Sequence, residues 1–400
     1  MAETKKHILI FSHAMELGGA ERVLLGLLEA IDTTRCDVDL FLMRHEGELL
    51  KDIPDTIHLL PEIPQYACLA VPIMNVLKRG QFGVAFGRLL GKEKAKQRCK
   101  ALDVAGENDI ALEYSHKYTE LFMPDIGDGT YDLAISFLTP HYFVRDKVQA
   151  KKKIAWIHTD YSKLSVDYES QLPMWSAYDQ IISISDQVSK AFLGVFPELS
   201  GKVEVLPHFM PVEYIRRKAK EECERFEASD RVSLLSVGRF SNAKNFDNVP
   251  DICRRIREAG VNIKWYLIGY GGDEGFIRHK IMEAGMEEYV IILGKKENPY
   301  PYIQACDLYV QPSRYEGKCV SVIEAQILGK PVVITDYPTS GSQLENGVDG
   351  VIVTQDNAGC AEGIIRLLQD PEKMAELQRN CANRDYSNAE AMDKLYALME

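Results

Sequence analysis

The sequence predicts an α/β protein made of two Rossmann-like, doubly wound domains that face each other across a cleft. The chain opens with an apolar run at 7–12, a glycine-containing turn and an amphipathic helix at 20–31. This order is typical of a nucleotide-binding α/β domain. The same strand-first order starts again at 231, and 400 residues is a suitable length for two domains.

Apolar runs without alternation dominate the first half, as expected for parallel strands that helices cover on both faces. The predicted strands are 7–12, 37–43, 132–137, 153–158, 180–185 and 203–206, with helical stretches between them. The first turn contains Gly18 and Gly19 but lacks the G-x-G-x-x-G pattern of a dinucleotide site. The glycine pair would let a backbone approach a bulky ligand, or it forms only a tight turn.

The second half repeats the alternation after a charged segment at 213–230, which we interpret as a linker with a lead-in helix. Its predicted strands are 231–238, 263–268, 289–293, 307–311 and 332–335. We therefore predict one α/β domain at 1–210 and a second α/β domain at 211–385.

Composition narrows the function classes. The net charge of −12 argues against general nucleic-acid binding. The nine cysteines are scattered singly, which is typical of reduced thiols inside a cell. No run approaches 18 uninterrupted apolar residues, so a membrane span is not predicted. We expect a cytoplasmic protein, with a place at the inner face of the plasma membrane as an open alternative.

A basic segment at 71–100 interrupts the regular alternation. Eight basic residues and one acidic residue lie between Lys78 and Lys100, with apolar side chains among them. Such a segment can bind an anionic membrane surface, at about 1 kcal/mol per basic residue. The alternative is a solvated helix face above the domain core.

The stretch 313–331 reads as a polar loop, a helix and a Gly-Lys-Pro stop. Glu316 lies in the loop and Glu324 in the helix. Free N–H groups at the helix start near Val320 favour an anion. A phosphate between two hydroxyl-binding carboxylates would suit a sugar nucleotide. The alternative is an ordinary amphipathic helix with one exposed glutamate.

Two cations, Arg239 and Lys244, follow the strand 231–238. Ligands of α/β domains bind at the carboxyl ends of strands, so these side chains are candidates to hold a diphosphate. The glycine turn 269–272 follows the next strand and belongs to the same edge. Taken alone, the cation pair could equally be solvated surface.

Together, four motifs resemble the retaining family 4 glycosyltransferases of GT-B fold, over nearly the whole chain. They are Gly18-Gly-Ala-Glu-Arg22, Gly238-Arg-x4-Lys244-Asn245, Glu316-Gly-x6-Glu324-Ala and Gly329-Lys-Pro-Val-Val333. The likeness extends, more loosely, to enzymes that build bacterial polysaccharide and cell-envelope glycans. It implies a retaining hexosyltransferase that moves a sugar from a nucleotide sugar, expected to be a UDP-sugar, to a glycan or lipid-linked acceptor. It also implies that the domain at 1–210 lies on the acceptor side, that the domain at 211–385 binds the donor, and that a helix at 386–400 crosses back to the first domain.

The resemblance implies residue roles as well. Arg239 and Lys244 would hold the donor diphosphate, Glu316 the sugar hydroxyls and Glu324 the ribose, while His158 would lie close to the sugar. His141, Lys78 and Arg79 are candidates for the acceptor side. Further donor contacts are implied at Gly18, Gly19, Gly238, Gly269, Gly271, Lys295, Gly317, Lys318, Cys319 and Val320.

No metal and no cofactor are expected, because two cations can neutralise the diphosphate and the nucleotide sugar is itself a substrate. Lys318 and Cys319 depart from the Phe-Gly that the family often carries, so Lys318 could contact a phosphate or the acceptor. Two alternatives stay open: a nucleotide-sugar epimerase of the same fold, and a non-catalytic subunit that stabilises a partner glycosyltransferase. A nicotinamide dehydrogenase lacks its fingerprint here.

Overall fold

The computed structural model describes residues 5–103, 108–223, 226 and 231–400. The chain forms two compact units, which we call the first unit (Met1–Phe209 with Asn388–Glu400) and the second unit (Met210–Ser387). Each unit contains one parallel sheet with helices between successive strands. The predicted α/β class with two Rossmann-like domains is therefore confirmed.

The first unit has a seven-stranded sheet in the order β3-β2-β1-β4-β5-β6-β7, with all pairings parallel. Ile8–Phe11 in β1 are fully buried, as the apolar run predicts for a central strand. The strand β3 was not predicted, since two residues are too few to show a pattern. The strands are β1 Lys6–Ser12, β2 Cys36–Leu42, β3 His58–Leu59, β4 Tyr131–Ser136, β5 Ala150–Ile157, β6 Gln180–Ser183 and β7 Val203–Val205.

Helices connect these strands, and the longest one contains residues 82–100 of the basic segment. They are α1 Gly19–Ala30, α2 Pro64–Ala67, α3 Ile73–Lys78, α4 Phe82–Leu102, α5 Asn108–Thr119, α6 His141–Lys147, α7 Tyr168–Ser176 and α8 Asp186–Val195. The helices α4 and α5 pack closely because α4 carries glycines where the two backbones meet. A Cβ at Gly87 would lie 2.6 Å from the carbonyl oxygen of Tyr118, and one at Gly91 would lie 2.5 Å from that of Tyr114.

The second unit has a six-stranded sheet in the order β10-β9-β8-β11-β12-β13, again with all pairings parallel. The strands are β8 Val232–Val237, β9 Ile263–Ile268, β10 Val290–Gly294, β11 Leu308–Gln311, β12 Val332–Thr335 and β13 Val351–Val353. The helices are α9 Val212–Lys218, α10 Val249–Glu258, α11 Glu274–Glu283, α12 Tyr300–Ala305, α13 Val320–Ile327, α14 Ser340–Gln343, α15 Asn357–Leu368 and α16 Pro371–Asn383.

The strand order of this second sheet reverses between β8 and β11. The chain leaves β8 toward β9 on one side and later returns to β11 on the other side. The loops after β8 and β11 therefore diverge at the carboxyl edge, and a crevice that can bind a ligand opens between them. Both loops contain predicted site residues.

The last helix, α17 (Met392–Ala397), packs within the first unit. The backbone N–H of Asp32, which follows α1, donates to the Tyr396 hydroxyl oxygen at 2.7 Å. The Arg35 guanidinium lies 4.3 Å from the centre of the Tyr396 ring. These contacts join the end of the chain to the end of α1.

Candidate functional site

The loops after β8 and β11 meet in an ion pair. Lys244 ends a short 3-10 helix, Asn242–Lys244, which Asn245 terminates with a left-handed backbone (φ 60°). The Lys244 Nζ lies 2.6 Å from the Glu316 Oε1, and the side chains are only 18% and 11% exposed. The structure thus brings together two of the residues predicted as catalytic, at the switch point of the sheet.

The electrostatic environment keeps Lys244 charged. Burial alone lowers the pKa of Lys244, but the nearby Cys319 sulfur and Glu316 carboxylate outweigh this effect, and the pKa lies above its usual value. Burial raises the pKa of the Cys319 thiol to about 11, so this thiol is neutral near pH 7. We therefore attribute the stabilisation of the ammonium to Glu316. The part of the chain that the structure describes has no group of three or more His, Cys, Asp and Glu side chains arranged to hold a metal ion.

The predicted glycines let the loops after β8 and β9 pack backbone against backbone. A Cβ at Gly269 would lie 1.9 Å from the carbonyl oxygen of Gly238, and one at Gly271 would lie 2.2 Å from that of Phe240. A Cβ at Gly238 would come within 3.2 Å of the Lys244 Cε. Any larger residue at Gly269 or Gly271 would push these loops apart. Because Gly238 contacts the Lys244 side chain, that side chain would move as well.

Two further cations lie at this edge of the sheet. Arg239 is exposed and makes no ion pair or hydrogen bond with the residues described in the structure. Its side chain is therefore accessible to an anion. Lys295, which follows β10, is also exposed, and its Nζ lies 5.1 Å from the centre of the Tyr270 ring.

The start of α13 is tied to α14 by an amide that the sequence analysis did not identify. The N–H of Cys319, the residue that caps α13, donates to the Gln343 Oε1 at 2.6 Å. The Gln343 Nε2 donates in return to the Cys319 carbonyl at 3.1 Å. One N–H of the predicted anion site is thus occupied by the protein. Val320 itself is 7% exposed.

Gly317 and Lys318 are half-buried in the loop before α13. Burial and the positive charge of Arg384 lower the pKa of Lys318, against an opposing effect of Asp349. This lysine thus keeps its proton less firmly than an exposed one. Its predicted contact with a phosphate or with the acceptor stays a prediction.

Glu324 is fully buried in α13. The Tyr300 hydroxyl, on α12, donates to the Glu324 Oε1 at 2.9 Å. The alternative of an ordinary helix with one exposed glutamate is therefore wrong, because the Glu324 side chain points into the protein and not toward solvent. The predicted contact between Glu324 and a ribose stays a prediction.

In the first unit, the glycine pair lies at the beginning of α1. Gly18 precedes the helix with an extended backbone (φ −136°), and Gly19 is its first residue and exposed. A Cβ at Gly18 would lie 2.0 Å from the Glu21 Oε2, the mobile end of a flexible side chain. The Glu21 carboxylate therefore occupies the space that a Cβ at Gly18 would fill.

His158 follows β5 and stacks on aromatic neighbours. Its ring centre lies 4.5 Å from that of Phe137 and 5.8 Å from that of His208. Burial lowers the pKa of His158 to about 4, so the ring is neutral near pH 7. Its Nε2 atom is buried and makes no hydrogen bond to the residues described here. A neutral imidazole with an unused nitrogen is suited to contact a substrate hydroxyl.

His141 lies in the core of the first unit, at the start of α6, and is 3% exposed. Its Nδ1 is 2.8 Å from the Ser136 Oγ, and its ring centre is 4.7 Å from that of Trp175. This burial fits a structural role better than the predicted contact with an acceptor. Lys78 and Arg79, at the end of α3, are both exposed.

Comparison with known proteins follows the same division of the chain. Residues 218–384 match the family model described as "Glycosyl transferases group 1". A relative from Campylobacter jejuni, N-acetylgalactosamine-N,N'-diacetylbacillosaminyl-diphospho-undecaprenol 4-alpha-N-acetylgalactosaminyltransferase, is 24% identical over 96% of this chain and 95% of its own length. A second relative from the same species, N,N'-diacetylbacillosaminyl-diphospho-undecaprenol alpha-1,3-N-acetylgalactosaminyltransferase, is 35% identical over 26% of this chain and 27% of its own length.

Among solved structures, Anabaena Alr3699/HepE in complex with UDP and glucose resembles this chain with a TM-score of 0.68 at 16% identity, covering 98% of this chain and 100% of that one. A mutant of Staphylococcus aureus TarM, in complex with Fondaparinux, alpha-GlcNAc-glycerol and UDP, also matches with a TM-score of 0.68 at 14% identity, covering 99% of this chain and 100% of that one. At these identities the likeness shows the fold alone.

Proposed function

We propose that this chain, whose residues 218–384 match the family model for glycosyl transferases group 1, transfers a sugar from a nucleotide sugar to a glycan or lipid-linked acceptor in bacterial polysaccharide or cell-envelope synthesis. The observation that carries the proposal is the ion pair of Lys244 and Glu316 at the switch point of the second unit. A match to the family model without a site would leave a binding subunit as the simpler explanation.

The proposed chemistry is electrostatic. As the bond between the sugar and the diphosphate breaks, negative charge grows on the leaving nucleotide. Lys244, which its surroundings keep protonated, and the exposed Arg239 supply positive charge where it is needed. These two side chains give the reaction a route without a metal ion. We infer that turnover persists when divalent cations are chelated.

We propose that the anomeric configuration is retained. The acceptor hydroxyl would attack the sugar on the face that the diphosphate leaves, and the leaving phosphate oxygen would accept the hydroxyl proton. Glu316 would bind hydroxyl groups of the sugar and hold the reacting carbon in place. This route requires no second carboxylate at the spacing that glycoside hydrolases use.

UDP is the nucleotide we propose for the donor. Support comes from the likeness to Alr3699/HepE, whose structure contains UDP and glucose. For the acceptor, support comes from the Campylobacter jejuni relative, whose name includes a sugar linked to diphospho-undecaprenol. We therefore propose a lipid-linked glycan as the acceptor class.

A thermal-shift panel tests the donor. The protein is heated with UDP-, GDP-, ADP- and TDP-sugars, and a bound donor raises the melting temperature because it stabilises by RT ln(1 + [L]/Kd). The best donor is then incubated with a lipid-linked oligosaccharide and products are analysed by mass spectrometry. We expect a UDP-sugar to stabilise and to be transferred. A donor whose sugar is altered without any acceptor would point to the epimerase instead, and no stabilisation by any donor would contradict the proposal.

We also propose that the basic segment binds anionic lipid, which would place the protein beside its acceptor. Apolar side chains of α3 and α4 are exposed: Met74 is 65% exposed, Phe82 67% and Phe86 59%. Exposed lysines follow them on α4 at 92, 94, 96 and 100. No helix in the described part of the chain is long and apolar enough to cross a membrane.

A further inference from the structure

A line of buried polar side chains runs from the end of β8 to Glu316. The Val237 N–H donates to the Tyr309 hydroxyl oxygen at 3.3 Å, and that hydroxyl lies 3.0 Å from the Gln311 Oε1. The Gln311 Nε2 donates to the Ser313 Oγ at 3.0 Å. The Ser313 hydroxyl donates to the Glu316 Oε1 at 2.6 Å. Four hydrogen bonds thus connect a strand end to the carboxylate of the site.

The direction of these hydrogen bonds is determined by chemistry. Tyr309, Gln311 and Ser313 are fully buried, so water does not replace any partner. A hydroxyl has one hydrogen to donate, and Tyr309 directs its own to Gln311, since the alternative acceptor, the Val237 carbonyl, is farther away at 3.4 Å. The amide oxygen of Gln311 therefore faces Tyr309 and its NH2 group faces Ser313. Ser313, which accepts from that group, has its single hydrogen left for Glu316.

At Glu316 the two carboxylate oxygens have different surroundings. Oε1 receives two donors, the Ser313 Oγ and the Lys244 Nζ, each at 2.6 Å. Oε2 makes no hydrogen bond to a residue that the structure describes. The carboxylate is held by one oxygen, and the other is available to a ligand.

We propose that Ser313 is a positioning residue for sugar transfer, acting through Glu316, with Gln311 orienting Ser313 in turn. Two donors on Oε1 fix the plane of the carboxylate, so Oε2 points in one direction toward the hydroxyl groups of the donor sugar. This inference rests on the proposed function and deepens it. Ser313 begins the stretch 313–331, but it precedes the motif that starts at Glu316, and the resemblance implies no role for it.

The test compares Ser313→Ala, Ser313→Thr, Glu316→Gln and the double variant of Ser313→Ala with Glu316→Gln. The turnover number is measured with the UDP-sugar that the wild type uses best, and the Kd for UDP alone is measured by calorimetry. We expect Ser313→Ala to lower kcat by about tenfold to a hundredfold, since a misplaced catalytic group costs about this much. UDP binding should change by less than about twofold, because the cations are intact.

The hydroxyl of Ser313→Thr should restore most of the turnover. In the double variant, the loss should equal that of Glu316→Gln alone, because Ser313 is proposed to act through that carboxylate. Ser236→Ala is the matched control, since Ser236 is equally buried but bonds to the Val310 carbonyl outside this line. If Ser313→Ala does not fold, Gln311→Met is tested instead. We expect the same decrease in kcat, and no further decrease when Gln311→Met is combined with Glu316→Gln.

Two results would overturn the positioning role. One is a Ser313→Ala enzyme as fast as the Ser236→Ala control, and the other is a double variant whose losses multiply. Both results can be obtained only if the wild-type protein transfers sugar. A wild type that turns over no nucleotide sugar would contradict the proposed function itself, so the two failures are distinguishable.

Discussion

Arg239 and Lys244 belong to one motif, yet the structure gives them different surroundings. Arg239 is exposed, whereas Lys244 is largely buried and paired with Glu316. An anionic ligand can bind to Arg239 directly, but at Lys244 it would bind an ammonium group that is already paired with the Glu316 carboxylate. We therefore expect the two cations to differ in what they contribute to stability, even if both contribute to catalysis.

Arg239→Ala should lower turnover by about 10²–10³-fold, the typical cost of removing one donor that stabilises charge in a transition state. The melting temperature should not change, because the exposed side chain has no partner among the residues described. Steady-state kinetics and thermal unfolding measure the two effects. Arg278→Ala, on α11, is a control at an exposed arginine elsewhere in the second unit. Equal rates for both variants would remove Arg239 from the site.

Lys244→Ala should reduce both turnover and stability. It removes one of the two donors to the largely buried Glu316 carboxylate and leaves that charge without its ion-pair partner, and losing a partner of a buried group costs about 1–3 kcal/mol. Urea unfolding measures the loss, and adding Glu316→Gln to the variant should recover part of it without recovering turnover. If Lys244→Ala proved as stable as the wild type, the ion pair would contribute nothing to folding.

At the scale of elements, α4 has two faces with different roles. Gly87 and Gly91 pack against α5, while Phe82, Phe86 and Leu89 are exposed. The structure also divides the basic residues of this segment. Arg88 donates to the carbonyl oxygens of Cys68 and Val71. Arg98 pairs with Asp167 and Glu169.

The remaining six basic side chains, at 78, 79, 92, 94, 96 and 100, are exposed. Two arginines of the segment therefore bind within the first unit, and the exposure of the other six basic side chains is what a solvated helix face predicts. Binding of these six cations to anionic lipid stays a prediction.

Replacing Phe82 and Phe86 together by serine should weaken binding to vesicles that contain phosphatidylglycerol by at least about tenfold, since each buried ring contributes about 1.5–3 kcal/mol. Liposome flotation at low and high salt is the measurement, and binding should also fall as salt screens the lysines. The control is Phe276→Ser, an equally exposed ring on α11 of the second unit. No flotation of the wild type, or equal flotation of all variants, would contradict the membrane proposal.

At the scale of the whole molecule, the two units differ in their response to acid. Burial lowers the pKa of four histidines in the first unit, to about 4 for His13 and His158 and to about 3 for His116 and His141. The second unit, Met210–Ser387, contains a single histidine, His279, which is exposed. Only the first unit therefore loses stability when its histidines must take up protons.

We expect the first unit to lose stability as the pH falls from 6.5 toward 5. The unfolded chain binds protons near pH 6.5 and the folded unit does not, so stability is full above 6.5 and declines below it, by about 1.4 kcal/mol per pH unit for each such histidine. Tryptophan fluorescence during urea unfolding reports the loss, with Trp156 and Trp175 in the first unit and Trp265 in the second. His141→Asn should make the decline less steep, and parallel declines in both units would contradict the explanation.

Much of the fold follows from local patterns. The predicted strand 7–12 became Lys6–Ser12 and the strand 332–335 was found at Val332–Thr335, because an apolar run bounded by turn residues identifies a buried strand without knowledge of its partners. The strand β13 was not predicted, because its apolar run of three residues is too short to identify a strand by itself.

For the candidate site, too, some features follow from local sequence and others depend on the tertiary structure. The sequence alone determined the fold class, the motif cations and the carboxylates of the stretch 313–331, since spacing and residue type depend only on neighbours in the chain. Only the tertiary structure decided that Lys244 pairs with Glu316, 72 positions away, that Tyr300 binds a buried Glu324, and that Ser313 donates to Glu316. Hydrogen bonds and ion pairs act over about 3 Å in space. The distances that matter for chemistry arise only when separate loops meet at one edge of a sheet.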